Sequence, residues 1–452
     1  MSSEWHRRRL GDHCLKIGSG ATPTGGKDGY LKHGPFMLIR SQNIYNDGFK
    51  PNGLAFISAE QAKKLDGVAI EADDVLLNIT GDSVARVCLA GSQYLPARVN
   101  QHVAIIRPRR DVFDSRYLRY FLASDYQQDL MLGMAAAGAT RNALTKAMIE
   151  GFKVPSPPMA IQRGIADILS ALDDRIALLR ETNATLEAIA QALFKSWFVD
   201  FDPVRAKLEG RTPEGMDEAT ATLFPDGFEE SALGLVPRGW RATSLAALIS
   251  QAGGNIQTGP FGSQLHASDY VIEGVPVVMP KDISLRRVQT DSIARIAPID
   301  VERLARHKLI PGDIVFSRRG DVERHALISE SERGWLCGTG CLLVKPGKKW
   351  PSPTFLSMLL DAPQARTWLV QHAVGATMPN LNTGILGSVP VVQPPDDLLI
   401  AFEDVVSTLE MARTENSARA QTLATLRDTL LPRLISGQLR LPKAQMDTDM
   451  AL

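Results

Sequence analysis

The sequence predicts an α+β protein made by internal duplication. Two similar mixed domains are each followed by a long heptad-patterned helix, and the two helices pair antiparallel, giving an internal pseudo-two-fold repeat. Three observations predict this. Segments recur 237–239 residues apart, each copy mixes short apolar runs with Gly, Pro and Asn turns, and each copy ends in Pro-Pro before an unbroken apolar seam. Asp74-Val75-Leu76-Leu77, leading to Gly81-Asp82, returns as Asp313-Ile314-Val315-Phe316, leading to Gly320-Asp321. Gly138-Ala139-Thr140, running on to Pro157-Pro158, returns as Gly375-Ala376-Thr377, running on to Pro394-Pro395. So long a period far exceeds a solenoid unit, so the repeated piece is a whole domain plus a helix.

Within the first copy, Met37-Leu38-Ile39-Arg40, Asp74 to Ile79 and Val103 to Arg107 read as strands. Arg116 to Met134 reads as one helix with Leu118, Phe121, Leu122, Leu130 and Leu132 on its apolar side. The second copy repeats the order, with strands at Val275 to Val278, Ile314 to Phe316 and Cys341 to Val344 and a helix from Thr354 to His372. Each Pro-Pro marks a boundary, because the residue before proline resists helix. The first seam then runs Ile165, Leu169, Leu172, Ile176, Leu179, Asn183, Leu186, Ala190, Leu193, Trp197, alternating steps of 4 and 3. Heptads sustained this long call for a coiled-coil partner, over a length of roughly 55–60 Å at 1.5 Å per residue. The matching positions 237 residues on are Phe402, Val406, Leu409, Arg413, Asn416, Ala420, Leu423, Arg427, Leu430 and Leu434. Arg413 and Arg427 weaken that seam, so they either snorkel or the seam leans toward Val405 and Leu426. Asn183 and Asn416 either fix register or face solvent. A homodimer through separate helices is the competing architecture. The boundaries expected are 1–155 for the first domain, 156–199 for its helix, and 200–235 for an acidic Pro/Gly connector outside any core. The second domain follows at 236–395, with its helix at 396–440 and a tail at 441–452.

Composition narrows the class. The 452 residues are 44% hydrophobic and 22% charged, ordinary for a globular chain. No apolar leader opens it and no run nears 18 apolar residues, so a cytoplasmic location is expected, with Cys14, Cys88, Cys337 and Cys341 as free thiols. The zero net charge hides a pattern: +5 over 1–155, −1 over 156–199, −6 over 200–235, +5 over 236–395 and −3 over 396–452. Positive charge sits on the two mixed domains, where phosphates would be met, although +5 on a domain this size is also unremarkable for a solvated surface.

The usual marks of catalysis are missing. Ser156-Pro157-Pro158-Met159 and Gln393-Pro394-Pro395-Asp396 do not make the Asn/Asp-Pro-Pro-aromatic tetrad with which adenine methyltransferases grip a flipped base. Gly18-Ser19-Gly20 lacks the third glycine of a dinucleotide loop, and Gly25-Gly26-Lys27-Asp28 puts Asp28 where a phosphate loop needs Ser or Thr for magnesium. No lysine follows an acid by two residues, as metal-dependent nucleases of the commonest restriction fold require. No histidine pair has zinc spacing, and Cys337-x-x-x-Cys341 reads as two small core residues.

Reading base edges needs Arg or Lys for guanine and Asn or Gln for adenine, on loops or helix starts. Arg40, Gln42 and Asn43 leave a strand end together; Arg86, Gln101, Arg141 and Asn142 follow in further loops of the first domain. Gln264, Lys281, Arg318, Arg319, Arg324 and Asn380 are the candidates of the second. Any one of them alone suits a solvated loop or a local turn bond. As a set they occupy matching places in the two copies with different polar tips, which two domains reading different sequences would require.

Longer motifs carry a resemblance. Ile165-Ala166-Asp167-Ile168-Leu169-Ser170-Ala171-Leu172-Asp173-Asp174, the run from Leu186 through Phe194-Lys195-Ser196-Trp197-Phe198-Val199-Asp200-Phe201-Asp202-Pro203 to Val204, Gly259-Pro260-Phe261-Gly262-Ser263-Gln264-Leu265 and Leu431-Pro432-Arg433-Leu434-Ile435-Ser436-Gly437 resemble the specificity (S) subunits of type I restriction–modification systems. The resemblance covers nearly the whole chain, and the helix segment from Leu186 is its most specific part. It implies two target-recognition domains, each reading half of an asymmetric, interrupted site in double-stranded DNA, with the paired helices as a spacer ruler. It implies that Ile165, Leu169, Leu172, Ile176, Leu179, Leu186, Leu193, Trp197, Phe402, Leu409, Leu423 and Leu430 build the helical platform on which two adenine methyltransferase (modification) subunits dock. Restriction/translocase subunits join them, no membrane is involved, and this chain binds no cofactor. S-adenosylmethionine, ATP and magnesium are expected on the partners. Recognition domains of this family vary freely, so no base-contact residue is carried over. Two alternatives stay open on the residues alone: a DNA-modifying enzyme with an unrecognised active site in one domain, and a scaffold that binds no nucleic acid.

Overall fold

The computed structural model describes residues 5–137, 142–375 and 377–441. Contacts divide it into two compact units, Met1–Glu181 with Asn416–Leu452, and Thr182–Glu415. The long helices Met159–Phe198 and Asp396–Ser436 each lend one half to each unit.

In the first unit a four-stranded antiparallel sheet has the order Cys14–Ser19, Val103–Pro108, Val75–Asn78, Val87–Leu89. The apolar runs at 75–78 and 103–106 are continuous rather than alternating because both faces are covered. Val75, Leu77, Ala104 and Ile106 pack on Tyr117, Leu118 and Phe121 of the helix Ser115–Ala123. Leu76, Val103 and Ile105 pack on Ile39 and Val99 of a second sheet, ordered Ala55–Ile57, Phe36–Ile39, Ala97–Val99. Phe36–Ile39 and Ala97–Val99 run parallel. Arg7–Arg9 pairs with Lys153–Pro155, returning the chain to its start just before Pro157-Pro158 and the long helix.

The second unit repeats the topology. Its sheets have the orders Asn255–Thr258, Cys341–Lys345, Ile314–Ser317, His325–Leu327 and Tyr270–Val271, Ala294–Ile296, Val275–Val278, Leu336–Cys337. Again the last two strands are parallel, and Arg241–Ser244 pairs with Pro390–Gln393 before Pro394-Pro395. The recurring Asp-x-x-x segment has a structural cause. Asp74 and Asp313 are each about 1% exposed and each accepts the backbone N–H three residues earlier, closing the turn into the central strand. Each is then paired from the neighbouring strand, Asp74 with Arg107 through two bonds of 2.7 and 2.8 Å, Asp313 with Lys345 at 2.9 Å.

Each domain has two helices where one was expected, Ser115–Ala123 then Asp125–Ala136, and Pro353–Asp361 then Pro363–His372. Pro363 pushes Ala362 out of helical geometry (ψ 143). In the first domain Ser124 adopts the same ψ of 143 and its hydroxyl bonds back to the Phe121 carbonyl at 2.7 Å.

Within each unit the two long helices run antiparallel. Ile165, Ala166 and Leu169 share the first core with Leu431, Leu434 and Ile435, and Asp173 meets Arg427 at 2.6 Å. In the second unit Phe194, Trp197 and Phe198 pack on Phe402, and Asn183 Nδ2 donates to the Arg413 carbonyl at 3.0 Å. Ile165, Leu169, Ile176, Leu179, Trp197 and Phe402 are buried; Leu172, Leu186, Leu193, Leu409, Leu423 and Leu430 are half-buried. The seam does not lean toward Val405 and Leu426, which are 47% and 45% exposed. Arg413 and Arg427 stay in it, neutralised from the opposite helix by Glu187 and Asp173.

Residues 200–235 differ from the expected connector. They form helices Asp202–Leu208 and Glu218–Thr222 and a hairpin Phe228–Ser231/Gly234–Pro237. Val204 and Phe224 lie in the second core, Phe224 edge-on to Trp197 at 5.2 Å. The apolar residues hidden among its Pro, Gly and acidic positions find a surface that the local pattern does not reveal.

Candidate nucleic-acid interface

In each domain, loops leaving the strands come together at one edge of the sheets. The first is a single 3-10 turn, Ser41–Asn43 or Pro280–Asp282. Asn43 is fully buried; its Oδ1 accepts the Arg40 N–H at 3.1 Å and its Nδ2 donates to the Lys50 and Asn52 carbonyls. Asp282 closes the equivalent turn by accepting the Met279 N–H at 3.0 Å, and burial pushes its carboxyl up. Asn43 is therefore spent on its own loop, and its complete burial removes it from the base readers expected from the sequence. Gln42 and Lys281, one residue earlier in each turn, are exposed. They carry different chemistry at one structural position, with Gln42 Nε2 bonded to the Gly53 carbonyl at 3.2 Å and Lys281 Nζ to Ser292 at 3.1 Å. Arg40 donates to Gly53 at 2.5 Å and lies 5.3 Å over the Tyr30 ring.

The second loop joins the central strand to its hairpin partner. Gly81 and Gly320 both have φ +76, which L residues resist. Gly81 N–H donates to the Asn142 carbonyl and Gly320 N–H to that of Pro379, bringing in the third loop of each domain. Asn142 and Arg319 are exposed. Arg86 lies 4.6 Å from the Tyr45 ring centroid. Arg324 is half-exposed beside Asp321 at 2.5 Å, and Arg318 Nε donates to the Leu381 carbonyl. Asn380, backbone-bridged to Arg319, keeps a buried Oδ1 with no partner among the described residues. Arg141, with Thr140, lies outside the described residues.

A fourth loop carries Gln101, whose Nε2 is 2.9 Å from His102 Nε2, while His102 Nδ1 meets Thr80 Oγ1 at 2.5 Å. The glycines opening the adjacent segments are obligatory: a Cβ on Gly20 would fall 1.8 Å from the Val99 carbonyl oxygen, and on Gly259 2.2 Å from that of Gly338. Five residues on, Gln264 accepts the Phe261 N–H at 3.0 Å, so its carbonyl is used locally. The aromatic rings under Arg40 and Arg86 were missed by side-chain reading, which looked for hydrogen-bonding groups and not for what holds them. Among the described residues no group of three or more His, Cys, Asp or Glu could hold a metal ion.

The family model described as the type I restriction modification DNA specificity domain matches residues 2–188. The chain is also 26% identical to the type I restriction enzyme HindI specificity subunit of Haemophilus influenzae, over 97% of this chain and 100% of that one. Along nearly its whole length the chain is thus similar to type I specificity subunits. The MjaIX specificity subunit of Methanocaldococcus jannaschii is 24% identical, over 76% of this chain and 73% of its own. The solved S subunit from M. genitalium shares the fold, with a TM-score of 0.57, 15% identity and 96% of each chain covered. The relatives it matches are named as specificity subunits of type I restriction enzymes. Among the described residues no helix is long and apolar enough to cross a membrane.

Proposed function

We propose that the chain is a type I specificity subunit, the non-catalytic DNA-recognition component of a restriction–modification system, and that it reads a bipartite, asymmetric double-stranded DNA site, one half with each mixed domain. The observation that carries the reading is the duplicated loop cluster: one backbone frame presents Gln42 in the first domain and Lys281 in the second, and Thr80 before Gly81 where the second domain has Arg319 before Gly320. The domains proposed are 1–155 and 236–395, separated by the antiparallel helices within 156–199 and 396–440, with 200–235 joining the halves. Rigid separation suits half-sites about one helical turn apart. Base reading is assigned to Arg40, Gln42, Arg86, Gln101, Arg141, Asn142, Gln264, Lys281, Arg318, Arg319, Arg324 and Asn380, of which Gln42, Asn142, Lys281, Arg319 and Arg324 are exposed.

The helical platform docks two adenine methyltransferase subunits, which bring S-adenosylmethionine, and restriction subunits, which bring ATP and magnesium. The assembly acts in the cytoplasm. The test is to map methylated adenines in cells carrying the subunit with its methyltransferase. Two short sequence blocks at fixed spacing support the reading, whereas an undivided motif, or methyl transfer by the purified chain alone, overturns it.

A further inference from the structure

In the second unit a tight hairpin, Ile283–Ser284 paired with Arg287–Val288, turns through Leu285 and Arg286, both left-handed at φ +50 and +60. Non-glycine residues rarely adopt that geometry, and two in succession are held by their surroundings. The Arg286 carbonyl accepts the Leu327 N–H at 3.0 Å, so the hairpin grips the strand that leaves the loop carrying Arg318, Arg319 and Arg324. Its side chain, 6% exposed, reaches the long helices: Nη1 to Glu187 Oε1 at 2.9 Å and Nη2 to Glu410 Oε1 at 3.5 Å. Arg287 adds a 2.5 Å bond to Glu410, and Arg413 joins the same carboxylate at 2.8 Å. Three arginines thus converge on Glu410.

The first unit has the same device from other residues. The hairpin Ile44–Tyr45/Gly48–Phe49 grips the strand after the Gly81 loop through Asn46 Oδ1, which accepts the Val87 N–H at 2.9 Å. Arg119 donates to the Asn46 carbonyl and to Asp173 at 3.1 Å, while Tyr120 and Arg427 bond Asp173 at 2.7 and 2.6 Å. Asp173 and Glu410 stand 237 residues apart, the repeat distance, and are 21% and 19% exposed. An acid half-buried at the helical seam, tied to its recognition domain by Arg119 and Tyr120 of one helix or by Arg286 and Arg287 of one hairpin, fixes the pose of the recognition loops on the helices. Such a group acts on geometry and leaves the base-reading side chains untouched.

We propose that Asp173 and Glu410 are positioning residues that set each domain's angle on its helical pair, and thereby the spacer length accepted between half-sites. The inference rests on the bipartite reading. Methylated adenines are mapped in cells carrying the methyltransferase complex with wild type, Asp173→Asn or Glu410→Gln. Both variants are expected to keep the two half-site sequences and to raise modification at spacers one base pair too long or too short at least tenfold. Leu179→Ala, a purely structural lesion, is expected to lower modification everywhere without that broadening. Arg287→Gln, which removes one of three arginines from Glu410, gives the same readout if Glu410→Gln fails to assemble. Wild-type spacer strictness in the variants, or changed half-site bases at unchanged spacing, overturns the inference. A wild-type complex that marks undivided sites overturns the bipartite reading and this inference with it.

Discussion

Gln42 and Lys281 occupy one structural position with opposite tastes, an amide suited to adenine and an ammonium suited to guanine. Gln42→Ala is expected to relax one base position of one half-site, and Lys281→Ala one position of the other, each by about 1–3 kcal/mol of discrimination. Methylome motifs from the two variants check this, and a change in the same half-site from both would contradict it. His325 makes a different prediction. It is buried against Phe316 with Nε2 3.0 Å from the Ser357 carbonyl, and burial, then Arg286, hold its pKa down to about 3. The unfolded chain takes up that proton near pH 6.5 while the folded chain refuses it until about 3. Stability is therefore full above about 6.5 and falls as pH drops, by about 2 kcal/mol between pH 7 and 5. His307, lowered to about 4 by burial and then Arg306, adds to the fall. Melting the chain across this range checks the slope, which His325→Gln should flatten by one proton. Single residues were the least readable scale in the sequence. Asn43 and Gln42 are neighbours of the same chemical type, and only the fold shows that one is interior and the other outward.

Among the elements, the central strands, the repeat and the helical seams followed from local pattern, because continuous apolar runs and heptads are imposed by the surfaces they must cover. The helix breaks did not: nothing adjacent forbids helix at Ser124, and in the second domain the expected helix ran through Pro363, whose ring ends the first piece. Asp74 shows how a turn acid holds an element in place. Replacing it with alanine leaves Arg107, 18% exposed, with Glu71 and the Ala69 carbonyl, and opens the Glu71 turn. A loss of about 1.5–3 kcal/mol is expected for removing charged hydrogen bonds of this kind. Urea unfolding of Asp74→Ala should show it, while Asp12→Ala, at an exposed ion pair, should change little.

For the whole molecule, the duplicated topology makes the helices a candidate ruler. Inserting seven residues into each helix, after Ala177 and after Thr414, adds about 10 Å at 1.5 Å per residue. That is roughly three base pairs of duplex, at 3.4 Å per step. The methylated motif should keep both half-sites and gain about three base pairs of spacer; unchanged spacing would sink the ruler. This scale was readable early because a repeat of a whole domain survives even where its loops do not. The exception was 200–235, whose core residues answer to partners far along the chain.

That folded segment governs where two such genes could recombine. A crossover near residue 155 trades the first mixed domain, leaves the second core whole and divides the first core only where it meets Ile165, Leu169, Leu431 and Leu434. A crossover near residue 235 would import foreign counterparts of Trp197, Val204 and Phe224 together into a core fitted around Phe355 and Phe402. Chimeras joined at the earlier point should accumulate as soluble protein, and those joined at the later point should precipitate unless both parents agree at these sites.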